Sequence, residues 1–154
     1  MQDIAHQETP ITEQVVIRNS TPQDLNFVFN SWLKSYRLLC PQIMHVPSEI
    51  YFLKHHKIIE AILKRNTVVL IASPVDEESV ILGYLVAEIA EEAPQGDILH
   101  FCYIKQSFRK MGLARLLFEA TKLDPENCFY THRVKDCAWL LRKIPGIKYD
   151  PYLL

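Results

Sequence analysis

Two basic side chains followed closely by a glycine, in the run Arg109-Lys110-Met111-Gly112-Leu113-Ala114, are the residues of this chain best suited to hold a phosphorylated ligand. An apolar, strand-like segment, Ile98 to Ile104, leads into the run, and a helix-like one, Leu113 to Ala120, leaves it. The first turn of a helix offers backbone N–H groups without partners and the positive end of a dipole. Gly112 has no Cβ, so a phosphate oxygen can approach its main chain closely. Ala114 keeps the first turn narrow. The whole chain of 154 residues has four glycines, so one placed here is informative. Lys105 and Arg115 extend the local positive charge, which suits a small polyanion.

The elements that must position this run belong to one domain. The length fits a single unit with a real core, and 49% hydrophobic against 23% charged residues is ordinary for a globular chain. Seventeen basic and eighteen acidic residues give a formal charge of -1. That balance argues against a nucleic-acid binder, which carries a net basic face. Cys40, Cys102, Cys128 and Cys137 show no C-x-x-C spacing, and Cys102 and Cys128 sit in apolar runs as small hydrophobes. They suggest a reduced, cytoplasmic setting, and no metal site is expected. No apolar run approaches the roughly 20 residues of a membrane span. Residues 1–14 are polar and mixed in charge, and read as a loose N-terminal arm rather than a leader; the domain occupies residues 15–154.

Within the domain, Val15 to Arg18 reads as a first strand. Thr21-Pro22-Gln23-Asp24 signals a helix start with Thr21 as cap, followed by Leu25, Val28, Phe29, Trp32 and Leu33 at helical spacing. A second helix runs from Ser48 to about Asn66. Thr67 to Ala72 and Val80 to Ile89 read as a hairpin around a polar turn, Glu91 to Gly96 as the next turn, and Ile98 to Ile104 as the central strand. The helix from Gly112 to Lys122 follows. Cys128 to Val134 is expected as a strand, Lys135 to Lys143 as a helix stopped by Pro145-Gly146, and Ile147 to Leu153 as a last strand. The order is β α α β β β α β α β.

The stretch Ile104 to Ala114 resembles the acetyl-CoA signature of the GNAT superfamily of N-acetyltransferases, V-x-x-x-x-[RQ]-x-x-G-x-[GA], with Ile104 in the valine place. The element order over residues 15–153 is similar to that of the same family. The resemblance implies an α/β (α+β) fold: a mixed, mostly antiparallel twisted sheet flanked by helices, with its central strands splayed. It implies acetyl-CoA as the cofactor. Backbone groups around Tyr103, Ile104 and Lys105 would hold its pantetheine arm, and Arg109, Lys110, Met111, Gly112, Leu113, Ala114 and Arg115 its pyrophosphate. The implied reaction is acetyl transfer to a primary amine of a small molecule or a protein.

Such a transfer needs a base for the amine and an acid for the departing thiolate. Many family members carry a Glu on the central strand; here His100 is its only imidazole, and is the candidate base. Aligning Ala138 and Gly146 with the family's pattern puts Arg142 where a Tyr acid often stands, leaving Tyr130 or Cys137 as substitutes. The acceptor side is built by the first two helices, where Tyr36, Arg37, Tyr51 and His55 are candidate contacts; Arg37 would suit a carboxylate or phosphate. The run Ser31 to Arg37, with Leu99-His100 and Phe108 to Gly112, also resembles small GNAT-type proteins of tailed phages and prophages, which would place the chain in a bacterial cytoplasm or an infected host cell. A homodimer is left open. The alternative is the same fold as an acyl-CoA-binding module without turnover, or a phage accessory or interaction protein. A P-loop nucleotide binder is excluded, since G-x-x-x-x-G-K-[ST] does not occur.

Overall fold

The structure, a computed structural model, describes residues 9–91, 95–135 and 137–154. A 3-10 turn at Ile11–Glu13 precedes β1 (Val15–Asn19), α1 (Leu25–Leu39), α2 (Pro41–Met44), α3 (Ser48–Lys64), β2 (Val68–Pro74), β3 (Gly83–Glu88) and β4 (Asp97–Ile104). After a second 3-10 turn come α4 (Leu113–Thr121), β5 (Cys128–Tyr130), α5 (Ala138–Lys143) and β6 (Lys148–Tyr149). The strands form one six-stranded sheet in the order β1-β2-β3-β4-β5-β6. Pairing is antiparallel from β1 to β4 and parallel from β4 to β6. This is the mixed, mostly antiparallel α/β arrangement expected above.

Side-chain alternation along the strands gives the sheet two apolar faces. Ile71, Tyr84, Val86 and Phe101 point to one face and meet Val28 and Trp32 of α1 and Ile59 and Ile62 of α3. Leu70, Leu85, Ala87 and Leu99 point to the other and meet Leu117 of α4 and Leu140 of α5. The helices dock by matching stripes: Tyr51, His55, Ile59 and Ile62 are the buried positions of α3, and Leu113, Leu117 and Thr121 those of α4. At Gly83 a Cβ would come within 2.6 Å of the Tyr103 carbonyl oxygen, so only glycine lets β3 approach β4 there.

Several boundaries differ from the sequence expectation. The strand expected over Val80 to Ile89 starts at Gly83, although Leu82 already bonds Ala72 O and Lys105 N. The strand expected to reach Val134 stops at Tyr130, because beyond it the side chains of Thr131 and His132 turn into the core and make the polar contacts. The last strand shrinks to Lys148–Tyr149, and α5 begins at Ala138. Residues 1–8 of the N-terminal arm, part of the Glu91 to Gly96 turn and Asp136 lie outside the described residues. No helix among the described residues is long and apolar enough to cross a membrane.

The start of α1 is set by an ion pair. The regular helix begins at Leu25, and Asp24 reaches back to accept from the Thr21 N–H at 2.7 Å, the returning half of a capping box. Arg18 of β1 grips the same carboxylate through both terminal nitrogens, at 2.7 and 3.0 Å. The guanidinium holds the Asp24 carboxyl down from 3.8 to about 2, against the opposing push of burial. A carboxyl lowered in this way contributes stability above its unfolded value and loses it as the pH falls toward 2. Asp24→Asn should therefore cost about 2 kcal/mol at pH 6 in urea unfolding, with the gap to wild type narrowing steadily below pH 4.

Candidate active site

The centre of the sheet comes apart at one place. β4 and β5 pair only over Asp97↔Cys128, Ile98↔Phe129 and Leu99↔Tyr130. Thr131 N–H to Leu99 O, at 3.2 Å, is the last backbone bond between them. Just beyond it β4 carries a bulge: Val86 and Ala87 of β3 face Phe101 and Leu99, and His100 is the extra residue. The bulge reverses the phase of the main chain. Lys105 N–H bonds Leu82 O, so alternation turns the main-chain groups of Phe101 and Tyr103 toward β3 and those of Cys102 and Ile104 into the gap. Ile104 O there takes a 2.9 Å bond from Arg109 Nε.

The gap runs into the basic loop. A slot walled by His100, Phe101 and Cys102 on one side and Tyr130, His132 and Trp139 on the other continues, through Phe101, Cys102, Val134 and Trp139, into a cleft reaching Arg109, Lys110, Gly112, Leu113 and Ala114. Gly112 stands just before α4 with φ +86, and Lys110 also adopts a left-handed conformation, φ 63. A Cβ on Gly112 would meet only Thr12 Cγ2 of the N-terminal segment at 3.3 Å, so the glycine is required by its backbone conformation rather than by crowding. No side chain caps α4. The first N–H groups of the helix thus point at the cleft with their hydrogen bonds unspent.

The structure distributes the expected cofactor residues unevenly. Tyr103, Ile104, Arg109, Lys110, Gly112, Leu113 and Ala114 line the cleft. Lys105 spends its N–H on Leu82 O and turns its Nζ over the Phe27 ring, in a separate groove beside Asp24. Arg115 pairs along α4 with Glu119 at 2.8 Å. Met111 is exposed at 45%. Arg142 and Trp139 of α5, which were not among the expected binders, form part of the far wall.

His100 is sealed inside the protein, 1% exposed. Its Nδ1 lies 2.9 Å from Thr131 Oγ1, and its Nε2 has no hydrogen-bond partner but faces Glu88 Oε1 at 3.7 Å. Thr131 Oγ1 lies 2.8 Å from His132 Nδ1, and His132 Nε2 2.9 Å from His55 Nε2. Glu88 ends at Arg65 Nε, 3.1 Å away on the rim. His100 holds the Glu88 carboxyl below its ordinary value, and Arg65 adds to this, both against the push of burial. Burial lowers all three imidazoles: His55 to about 4, His132 well below 6.5, and His100 downward despite Glu88. They are neutral rings.

Sequence reasoning missed Glu88, Thr131 and His132. Glu88 had a visible signal, an acid closing the otherwise apolar run Gly83 to Ala87. Thr131 and His132 had none, since they lay inside an expected strand.

Of the expected acceptor contacts, Tyr36, Tyr51 and His55 are interior. The His55 ring is stacked between Tyr36 and Tyr51, with centroids 4.9 and 5.2 Å away. Tyr51 donates its hydroxyl to Leu33 O, and Arg37 is tied to Val46 O at 3.0 Å over the Tyr51 ring. Tyr130 lines the slot, and burial raises its hydroxyl above the ordinary value, so it stays a proton donor. Among the described residues no group of three or more His, Cys, Asp or Glu is placed to hold a metal ion.

No family model matches the chain, and no curated protein matches it significantly. Solved structures do. A possible acetyltransferase from Clostridium difficile 630 superimposes with TM-score 0.55 at 15% identity, over 90% of this chain and 93% of that one. An aminoglycoside acetyltransferase from an uncultured soil metagenomic sample, in complex with sisomicin, gives 0.52 at 16% identity over 88% of each chain. A Staphylococcus aureus protein assigned to the GNAT family gives 0.50 at 16% identity, over 69% of this chain and 87% of that one. The chain has the GNAT acetyltransferase fold.

Within that fold the parted strands are the feature to test, and the buried imidazoles report on them. A buried ring whose value is depressed stays neutral in the native state while the unfolded chain protonates, so its share of stability is lost as the pH falls from 6.5 to about 4. In a ¹⁵N NMR titration His55 should remain neutral at pH 6 and show a midpoint near 4. A midpoint near 6.5 would mean that solvent fills the space between α1, α3 and the end of β5.

Proposed function

We propose that this protein is an acetyl-CoA-dependent N-acetyltransferase that moves an acetyl group directly to a primary amine of a small molecule or protein. One observation carries this: the gap between β4 and β5 and the uncapped start of α4 form a single groove. Its two ends present different chemistry. At the α4 end, unspent backbone N–H groups, with Arg109, Lys110 and Arg142 around them, suit a pyrophosphate. In the gap, the main-chain groups of Cys102 and Ile104 lack a neighbouring strand, and an extended amide-bearing arm lying there would complete the sheet as a strand does. Acetyl-CoA has both parts in that order, and supplies an activated thioester.

The thioester end would lie in the slot beside Phe101, Tyr130 and His132. A thioester seated against its largely apolar lining would displace water, which would strengthen the polar contacts made inside. Tyr130, kept protonated by burial, would donate to the departing sulfur. This assigns the acid to β5 and leaves Arg142, in the position where the family pattern has a Tyr, on the coenzyme's phosphate side. The small-amine class is supported by the sisomicin complex of the similar metagenomic enzyme. Four free cysteines fit a reduced, cytoplasmic setting. Nothing among the similar structures speaks for the phage resemblance.

The competing reading is a module that binds the coenzyme without turnover, favoured by the Arg142 substitution alone. Incubation with acetyl-CoA and a panel of amines, sisomicin included, should release free thiol; tight binding of coenzyme A without release across the panel would establish the module instead. Replacing Gly112 by Val forces a β-branched residue into a left-handed conformation, at about 1–2 kcal/mol, and closes the approach to the helix start. Calorimetry should show coenzyme A affinity lowered at least tenfold with the circular dichroism spectrum intact, whereas wild-type affinity would remove the loop from the binding site.

A further inference from the structure

Glu88, His100, Thr131, His132 and His55 form a row of polar side chains from the rim of β3 to α3, and the function proposed above does not use it. Its hydrogen bonds gather on one short piece of chain, the segment that leaves β5. Thr131 Oγ1 lies 2.9 Å from His100 Nδ1 at the fork. One residue on, His132 Nδ1 lies 2.8 Å from the same hydroxyl, and its Nε2 reaches His55 Nε2 of α3 at 2.9 Å. Lys135 N–H then donates to Leu39 O at the end of α1, at 2.9 Å. The anchor in α3 is a fixed one: the His55 ring is held between Tyr36 and Tyr51, and Tyr51 donates its hydroxyl to Leu33 O of α1. The segment is thus tied to the helices on one face of the sheet.

Those ties oppose what the backbone alone favours. Cys102 and Ile104 turn their main-chain groups toward the gap, and a parallel pair gains a hydrogen bond with each group it joins. Without the ties, residues 131–134 would settle beside β4 and the gap would close. We propose that the contacts of Thr131, His132 and Lys135 are a brace that holds this segment toward α1 and α3 and keeps the gap open before any ligand arrives. Thr131, His132 and His55 are positioning residues, acting through the main chain of Cys102 and Ile104. The benefit to the coenzyme rests on the acetyl-CoA reading proposed above, whereas the brace itself works in the free protein. An arm that enters a gap already open displaces no strand pairing, so none of its binding energy goes into parting β4 from β5.

Thr131→Val keeps the shape of the side chain and cuts the row on both sides of the hydroxyl, while Thr131→Ser keeps the hydroxyl. His132→Phe keeps an aromatic ring against Trp32 and Tyr36 and removes both hydrogen bonds of His132, so it carries the same test should Thr131→Val fail to fold. Amide hydrogen exchange of the free protein reads the gap directly. In the wild type and in Thr131→Ser, the amides of Cys102 and Ile104 should exchange faster than those of Phe101 and Tyr103, which face β3. In Thr131→Val they should slow about tenfold as the gap closes. Calorimetry should then show coenzyme A affinity lowered about tenfold in Thr131→Val and unchanged in Thr131→Ser. Slow exchange at Cys102 and Ile104 in the wild type, or a Thr131→Val protein without added protection, overturns the brace, whatever the thermal stability. Added protection with wild-type coenzyme affinity upholds the brace and removes the gap from the coenzyme site, and so does added protection in a protein whose wild type binds no coenzyme A.

Discussion

The parting of β4 from β5 is the constraint on which the rest of this molecule depends. A parallel pair normally continues until its residues run out, because each unpaired main-chain group in a protein interior costs a lost hydrogen bond. Here pairing stops after Leu99 and Tyr130, with apolar chain still to come on β4. The bulge at His100 changes which way the main chain faces, and the Thr131 side chain takes over from the backbone at the fork by bonding His100. A side-chain bond thus replaces a ladder bond where the strands diverge. The consequence is an edge inside the sheet, with the groups of Cys102 and Ile104 facing it.

The two faces of the sheet divide the work around that edge. On the α4 and α5 face, Leu113 and Leu117 anchor the helix whose first turn closes the groove, so burial of one apolar stripe positions the N–H groups at its start. On the α1 and α3 face, a buried polar row sits among Trp32, Tyr36, Phe101 and Ile59. Polar groups in such surroundings are costly unless each is partnered. Four of the five in this row are joined by close contacts, and the charged end reaches Arg65 at the rim. The contacts running from His100 through Thr131 and His132 to His55 are what make these buried groups tolerable in an apolar interior.

Much of this was legible in the sequence, for a physical reason. The motif Arg109 to Ala114 is local: its glycine, its charges and the flanking strand and helix lie in consecutive residues. The α4 start, Arg109 and Lys110 were expected by that logic, and Tyr103 and Ile104 through the family resemblance; all of them line the cleft. Lys105 and Arg115 look equivalent to them in a list of charges. Side-chain direction separates them, since Lys105 leaves the sheet toward Phe27 and Arg115 lies along the helix to Glu119. The polar row could not be read, because it joins residues from α3, β3, β4 and the segment after β5. His55 was expected as an acceptor contact because the second helix builds the acceptor side in the resembled family, but its position shares the buried stripe of Tyr51 and Ile59. The strand expected through Val134 hid the fork itself: an apolar run carries no mark of where its partner leaves it.

The most direct test of this account is a map of backbone amides on adding coenzyme A to the ¹⁵N-labelled protein. If the groove holds the coenzyme as described, the amides of Cys102 and Ile104 in the gap and of Leu113 and Ala114 at the start of α4 shift together and saturate at one concentration. Amides that stay in place at millimolar coenzyme A, or shifts confined to the groove beside Asp24 and Lys105, would contradict it.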